Sequence, residues 1–315
     1  MNHDLITMGR VGVDLYPEQS GVPLADVRSF AKFLGGTATN VAVACARYGH
    51  SAAVITKVGD DGFGPYVRQA LRGFGVDDRY VGTDPDLRTP VVFCEIHPPD
   101  HFPLLFYREP KAPDMNLRPE ELDMEAIASA RVFWTTGTGL SDEPSLSATL
   151  AALEARTAAG HGVATVHDLD YRPMFWPSPE EAGKRQREAL GMVTVAIGNL
   201  EECAVAVGDG SPEEMADRIL DLGARVAVVK QGPEGVSAFT RDGSVSTQPV
   251  PIDVVNGLGA GDAFGGAVCH GLLSGWEWGE IIPFANAAGA HVAGQLACAD
   301  AMPDESQVRE LMARA

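Results

Sequence analysis

The chain has 315 residues, 45% hydrophobic and 21% charged, which is enough to bury a large core in one big α/β domain or two smaller ones. Its 24 Lys and Arg against 43 Asp and Glu give a formal charge of −19, which repels polyanions and argues against a nucleic-acid partner, while a locally positive pocket can still hold a small anion. Five scattered cysteines with no Cys-x-x-Cys pair exclude a disulfide framework or zinc cluster; with no basic leader in Met1-Asn2-His3-Asp4 and no apolar run of about 18 residues, the expected setting is the cytoplasm, away from membranes.

Short β-rich apolar runs alternate with helical spacing along most of the chain. Residues 10–32 show no convincing helix. Helices are expected over 40–48 and 66–74, with a strand over 52–58 between them. Residues 89–107 again lack a helix and hold extended segments at 91–96 and 104–107. Strands follow at 132–136, 163–167, 193–197 and 226–230, with helices at 145–159, 213–222 and 263–273. The alternation implies a parallel sheet, and the two helix-free stretches read either as a separate flap or as edge strands.

Just before the last of these helices comes Asn256-Gly257-Leu258-Gly259-Ala260-Gly261-Asp262. Glycines there can turn bare N–H groups toward an anion, and the helix N-terminus adds partial positive charge. A carboxylate at Asp262, beside that hole, can accept the proton of an attacking hydroxyl, which points to phosphoryl transfer. Taken alone, the segment reads equally as a turn with a helix cap. No Gly-x-x-x-x-Gly-Lys-Ser/Thr occurs, and the motif stands too late in the chain for a dinucleotide fingerprint.

Near the start, Gly35-Gly36-Thr37-Ala38-Thr39-Asn40 runs into a helix and is followed by Gly49 and Gly59. With the 259–262 turn, this resembles the two signatures of the PfkB family of ribokinase-like carbohydrate kinases. The second signature departs at Asn256, Gly257 and Leu258, where Asp-Thr-Thr is common. Further resemblance lies in Asp14, Asn199-Leu200-Glu201-Glu202, Lys230-Gln231-Gly232-Pro233-Glu234-Gly235 and Asn286-Ala287-Ala288-Gly289.

The resemblance implies a three-layer, doubly wound α/β fold with a mostly parallel sheet, in a single domain over 1–315 whose small β-sheet lid comes from about 10–32 and 89–110. It also implies ATP-dependent phosphorylation of a sugar, with Asp262 as base and the amides of Gly259, Ala260 and Gly261 as anion hole. Asp14, Gly35, Gly36 and Asn40 would meet sugar hydroxyls. Asn199, Lys230, Gly232, Gly235, Gly259, Gly261 and Asn286 would meet the nucleotide, and Glu202 would meet Mg²⁺ through water. A monovalent cation and a homodimer through the lid belong to the same expectation.

Within the family, Phe106-Tyr107-Arg108-Glu109-Pro110, Asp168-Leu169-Asp170-Tyr171-Arg172-Pro173 with Trp176, and residues 297–303 are similar to kinases of acidic keto-sugars. A substrate carboxylate calls for a cation: Arg172 first, Arg108 on the lid second, with Asp170 also at the substrate. Either arginine could instead make a surface ion pair. A sugar-binding regulator without turnover and a vitamin or nucleoside kinase remain open. The histidines show no metal-ligand spacing, and Trp276 and Trp278 read as packing.

Overall fold

A computed structural model describes residues 2–314. In chain order the strands are β1 (Leu5–Met8), β2 (Gly12–Pro17), β3 (Phe30–Gly35), β4 (Ala52–Gly59), β5 (Val76–Asp77), β6 (Val81–Asp84), β7 (Val91–Cys94), β8 (Leu104–Tyr107), β9 (Val132–Thr136), β10 (Ala164–Asp168), β11 (Val195–Asn199), β12 (Val226–Lys230), β13 (Val236–Thr240) and β14 (Gly243–Thr247). The α-helices are α1 (Thr37–Arg47), α2 (Phe63–Gly73), α3 (Met124–Ser129), α4 (Ser145–Ala158), α5 (Pro179–Leu190), α6 (Leu200–Val207), α7 (Pro212–Leu222), α8 (Ala260–Ser274), α9 (Trp278–Ala293) and α10 (Glu305–Arg314).

Ten strands form the main sheet in the order β14-β13-β12-β11-β10-β9-β1-β4-β5, with β6 also on β4. It is parallel from β12 to β5 and ends in the antiparallel run β12-β13-β14. Successive residues face opposite layers: Val132 and Trp134 join one core while Phe133 joins the other, and Val226 and Val228 alternate with Ala227 and Val229. Burial on both faces is why these strands read as unbroken apolar runs in the sequence.

Helices α1, α8 and α9 cover one face; α4, α5 and α7 cover the other. The seat of α8 is close because it carries glycines. A Cβ on Gly265 would come within 2.5 Å of the Trp134 ring, and one on Gly266 within 2.3 Å of the Ala44 side chain. Strand order reverses around β1, which lies between β9 and β4, so the crevice at the carboxyl ends of these strands is the ligand position of open α/β sheets.

A separate four-stranded sheet, β3-β2-β7-β8, stands over that crevice. Its strands fall within or beside 10–32 and 89–110, with β3 running on to Gly35. Every expected helix and strand has its counterpart, with ends shifted by up to three residues: α1, α2 and α8 each begin three residues before the expected start. The strand expected at 163–167 ends at Asp168 and that at 193–197 ends at Asn199, which makes both residues strand-end groups.

Among the elements the sequence reading left out are β5, β6, the β13-β14 hairpin and helices α3, α5, α9 and α10. Pro283 lies inside α9, which is apolar on most sides, so neither a breaker-free stretch nor an amphipathic stripe marked it. Both tryptophans pack against the core, Trp276 edge-on to His270 at 4.8 Å and to Phe284 at 5.1 Å, and Trp278 does so from the first position of α9 instead of from a loop. No helix among the described residues is long and apolar enough to cross a membrane.

Candidate active site

Between the small sheet and the crevice lies a cavity of about 310 Å³. Two helices begin at its wall. The N-caps of α1 and α8 are Gly36 and Gly259, with φ of 102° and 81°, so neither has a side chain to bond the first-turn N–H groups. Those donors are left to a ligand. Both positions also exclude a Cβ, which would lie 2.4 Å from the Arg10 carbonyl oxygen at Gly36 and 2.7 Å from Cys298 Sγ at Gly259.

Asp262 lies in the first turn of α8, and its Oδ2 accepts a hydrogen bond from Asn40 Nδ2 at 2.7 Å. Burial pushes its carboxyl up to about 6, against the pull of the Asn40 bond. It is therefore ionised at neutral pH yet basic enough to take a proton. Asp14, on β2, also lines the cavity, and burial lifts it to about 6, with Tyr16 pulling down and Asp262 pushing up. Tyr16 Oη donates to Asp14 Oδ2 at 2.9 Å and lies 2.8 Å from Cys298 Sγ.

Gly36 and Asn40 line the cavity, but Gly35 lies behind Asp14: a Cβ at Gly35 would fall 2.0 Å from Asp14 Oδ1. That glycine makes room for a carboxylate. Its neighbourhood explains why the residue is small without a direct role at the ligand.

Three arginines reach the cavity: Arg10, Arg108 and Arg172. Arg108 is ion-paired with Asp114, whose other oxygen accepts the Val11 N–H at 2.9 Å. Arg172 pairs with Asp170 at 3.2 Å, and Arg10 Nη2 donates to the same carboxylate at 2.7 Å and lies 2.7 Å from Thr37 Oγ1. Asp170 is not part of the cavity wall, and Thr138 also donates to it at 2.8 Å. Burial works against its charge, but Arg10 and Arg172 outweigh that and hold its carboxyl below the usual range.

The strand ends of β10, β11 and β12 bring together Asp168, Asn199 with Glu202, and Lys230. Asn199 is the N-cap of α6: its Oδ1 accepts the Glu202 N–H at 2.9 Å, and Glu202 Oε2 accepts the Asn199 N–H at 2.7 Å. This reciprocal cap engages one Glu202 oxygen. Lys230 Nζ lies 3.6 Å from where a Cβ on Gly261 would stand, which puts the ammonium beside the head of α8. Burial disfavours that charge, but Asp168 and Glu202 outweigh it and raise its pKa.

Gly232 and Gly235 turn the loop from β12 to β13 at φ of 59° and 93°. A Cβ at Gly235 would meet the Thr247 carbonyl oxygen at 2.0 Å. Asn286, on α9, donates to the Gln248 carbonyl at 2.8 Å. Asn256 is fully buried, with its Nδ2 bonded to the Leu296 carbonyl and its Oδ1 to the Leu258 N–H. It has no free carboxylate to offer a monovalent cation. Among the described residues no group of three or more His, Cys, Asp or Glu could hold a metal.

Sequence reasoning missed Arg10, Asp168, Tyr16 and Cys298 as site groups. Asp168 could have been found as the first acid of the Asp-x-Asp-x-Arg stretch. Burial lifts its carboxyl to about 7, with Lys230 pulling down and Glu202 pushing up. Arg10 and Tyr16 carried only the signal of lying on either side of Asp14.

A model described as pfkB family carbohydrate kinase matches residues 2–305. The 5-dehydro-2-deoxygluconokinase of Photobacterium profundum is 36% identical over 307 residues, covering 95% of this chain and 92% of that protein. The 5-dehydro-2-deoxygluconokinase of Clostridium tetani is 33% identical, over 98% of this chain and 92% of that protein. Among solved structures, a PfkB protein from Polaromonas sp. JS666 superposes with a TM-score of 0.86 at 26% identity, covering 98% of this chain and 99% of that one.

Proposed function

The chain belongs to the pfkB family of carbohydrate kinases, and from that premise we propose that it transfers the γ-phosphoryl group of ATP to the primary hydroxyl of 5-dehydro-2-deoxygluconate, in inositol catabolism. The observation that carries this reading is a single cavity lined both by the Asp262 carboxylate at the head of α8 and by arginines able to meet a sugar acid. The curated relatives of the same name support the choice of acid.

In this reading Asp14, Gly36 and Asn40 hold the sugar hydroxyls, with Gly35 giving Asp14 its room. Asp262 takes the proton of the attacking hydroxyl as the bond to phosphorus forms, and the amides of Gly259, Ala260 and Gly261 stabilise the charge on the transferring group. Asn199, Lys230, Gly232, Gly235 and Asn286 bound the nucleotide. Mg²⁺ would neutralise phosphate charge when bound, and Glu202 and Asp168 are the residues that would hold it through water.

The small sheet acts as the lid that keeps water from the reaction. Its outer face exposes Leu105 and Tyr107, and we assign a homodimer contact there. Five free, buried cysteines accord with the reducing cytoplasm.

The test is ATP-dependent phosphorylation of 5-dehydro-2-deoxygluconate, 2-keto-3-deoxygluconate, fructose and ribose by the wild type and Asp262→Asn. The expected result is preference for the first, with kcat lowered about 10³-fold in the variant. Preference for another sugar overturns the substrate. Absence of turnover on all four favours a binding protein without catalysis.

A further inference from the structure

Two carboxylates answer three arginines in the cavity wall. Asp114 neutralises Arg108, and Arg10 and Arg172 share Asp170. Arg10 and Arg172 therefore share one directly paired counter-ion, while Asp14 and Asp262 line the same cavity without an ion pair. Arg172 can give its share to water, since its side chain is 41% exposed, but the Arg10 side chain is only 8% exposed. A guanidinium carries five N–H donors. In Arg10, Nη2 is engaged by Thr37 and Asp170, while Nε is buried without a hydrogen-bond partner. A buried donor left without an acceptor is costly, and Asp170, shared with Arg172, does not satisfy it.

We propose that Arg10 receives the carboxylate of the substrate, with Asp170 holding the guanidinium in place and Arg172 approaching from the more exposed side. The Phe175 ring centre is 5.8 Å from Arg10 Cζ, an apolar neighbour that strengthens a charge-assisted bond by excluding water. This assigns the discriminating contact to a residue just after β1 instead of to Arg108 or Arg172. It rests on the reading of the substrate as a sugar acid.

The test uses Arg10→Met and Arg10→Lys in the full chain, with thermal melting to identify a variant that fails to fold. Two constants are measured: KM for 5-dehydro-2-deoxygluconate, and the inhibition constant of the analogue whose carboxylate is reduced to an alcohol. Loss of one charge-assisted contact predicts a KM higher by roughly 10- to 100-fold in Arg10→Met, with the analogue's constant changed less than about 3-fold. Arg10→Lys keeps the charge on a shorter reach and should fall between. If Arg10→Met does not fold, Arg10→Lys is judged on the same pair of constants.

Equal loss for acid and alcohol would mean that Arg10 only positions Thr37 and Asp170, and would overturn the proposal, as would an unchanged KM. A wild type that phosphorylates only neutral sugars would remove the premise and the inference together. A wild type active on the acid with an insensitive Arg10 would leave the function standing and sink this inference alone.

Discussion

Asp168 and Asp170 are two residues apart in the chain and are treated in opposite ways by the fold. Asp170 is surrounded by Arg10, Arg172 and Thr138 and is kept ionised below the usual carboxylate range. Asp168 is buried and Asp262 across the crevice is half-buried, each with too little positive charge nearby, and desolvation raises both carboxyls, to about 7 and about 6. A fully answered carboxylate serves as scaffold. An under-answered one is poised to exchange a proton or meet a cation, and that excess energy is what a catalytic group needs.

The sharpest way to break this contrast is Asp170→Asn. It leaves Arg10 buried without its counter-ion and should cost about 3–5 kcal/mol of unfolding free energy at pH 7, measured by urea denaturation. A loss below about 1 kcal/mol would show that the pair is not structural. The stabilising contribution of Asp170 is complete above its ordinary value of 3.8 and is lost as pH falls through its lower folded value.

A smaller effect is expected in the pH profile. Since Asp262 must be ionised to accept a proton, kcat should fall about tenfold per pH unit below about 6, and a flat profile down to pH 5 would exclude it as the base. Smallest is the effect of Asp262→Asn on melting. A carboxyl raised from 3.8 to about 6 destabilises the fold while ionised, so the variant should melt about 2 °C higher at pH 8. The gain should shrink as pH falls from about 6 toward 3.8, and a variant that melts lower at pH 8 would place Asp262 with the scaffold.

What could be read from the sequence was local. The glycines and the acid of 256–262 act within one turn, and the buried parallel strands announce themselves as apolar runs, so both were visible. Arg10 was not, because its meaning comes from Asp170, 160 residues away. The β14 strand was hidden by its exposed, polar sequence Gly-Ser-Val-Ser-Thr, which shows no apolar alternation. Gly35 was visible as a glycine, but its reason, the Asp14 carboxylate in the space of a side chain, exists only once β2 and β3 pair.

The glycine seat of α8 bears on how the enzyme can move. With Gly265 against Trp134 and Gly266 against Ala44, the helix that carries Asp262 already rests at the closest approach its backbone allows. It cannot sink further onto the sheet or onto α1. In the proposed reaction the adjustable wall is then the small sheet, and α8 is the fixed reference against which it would register the cargo.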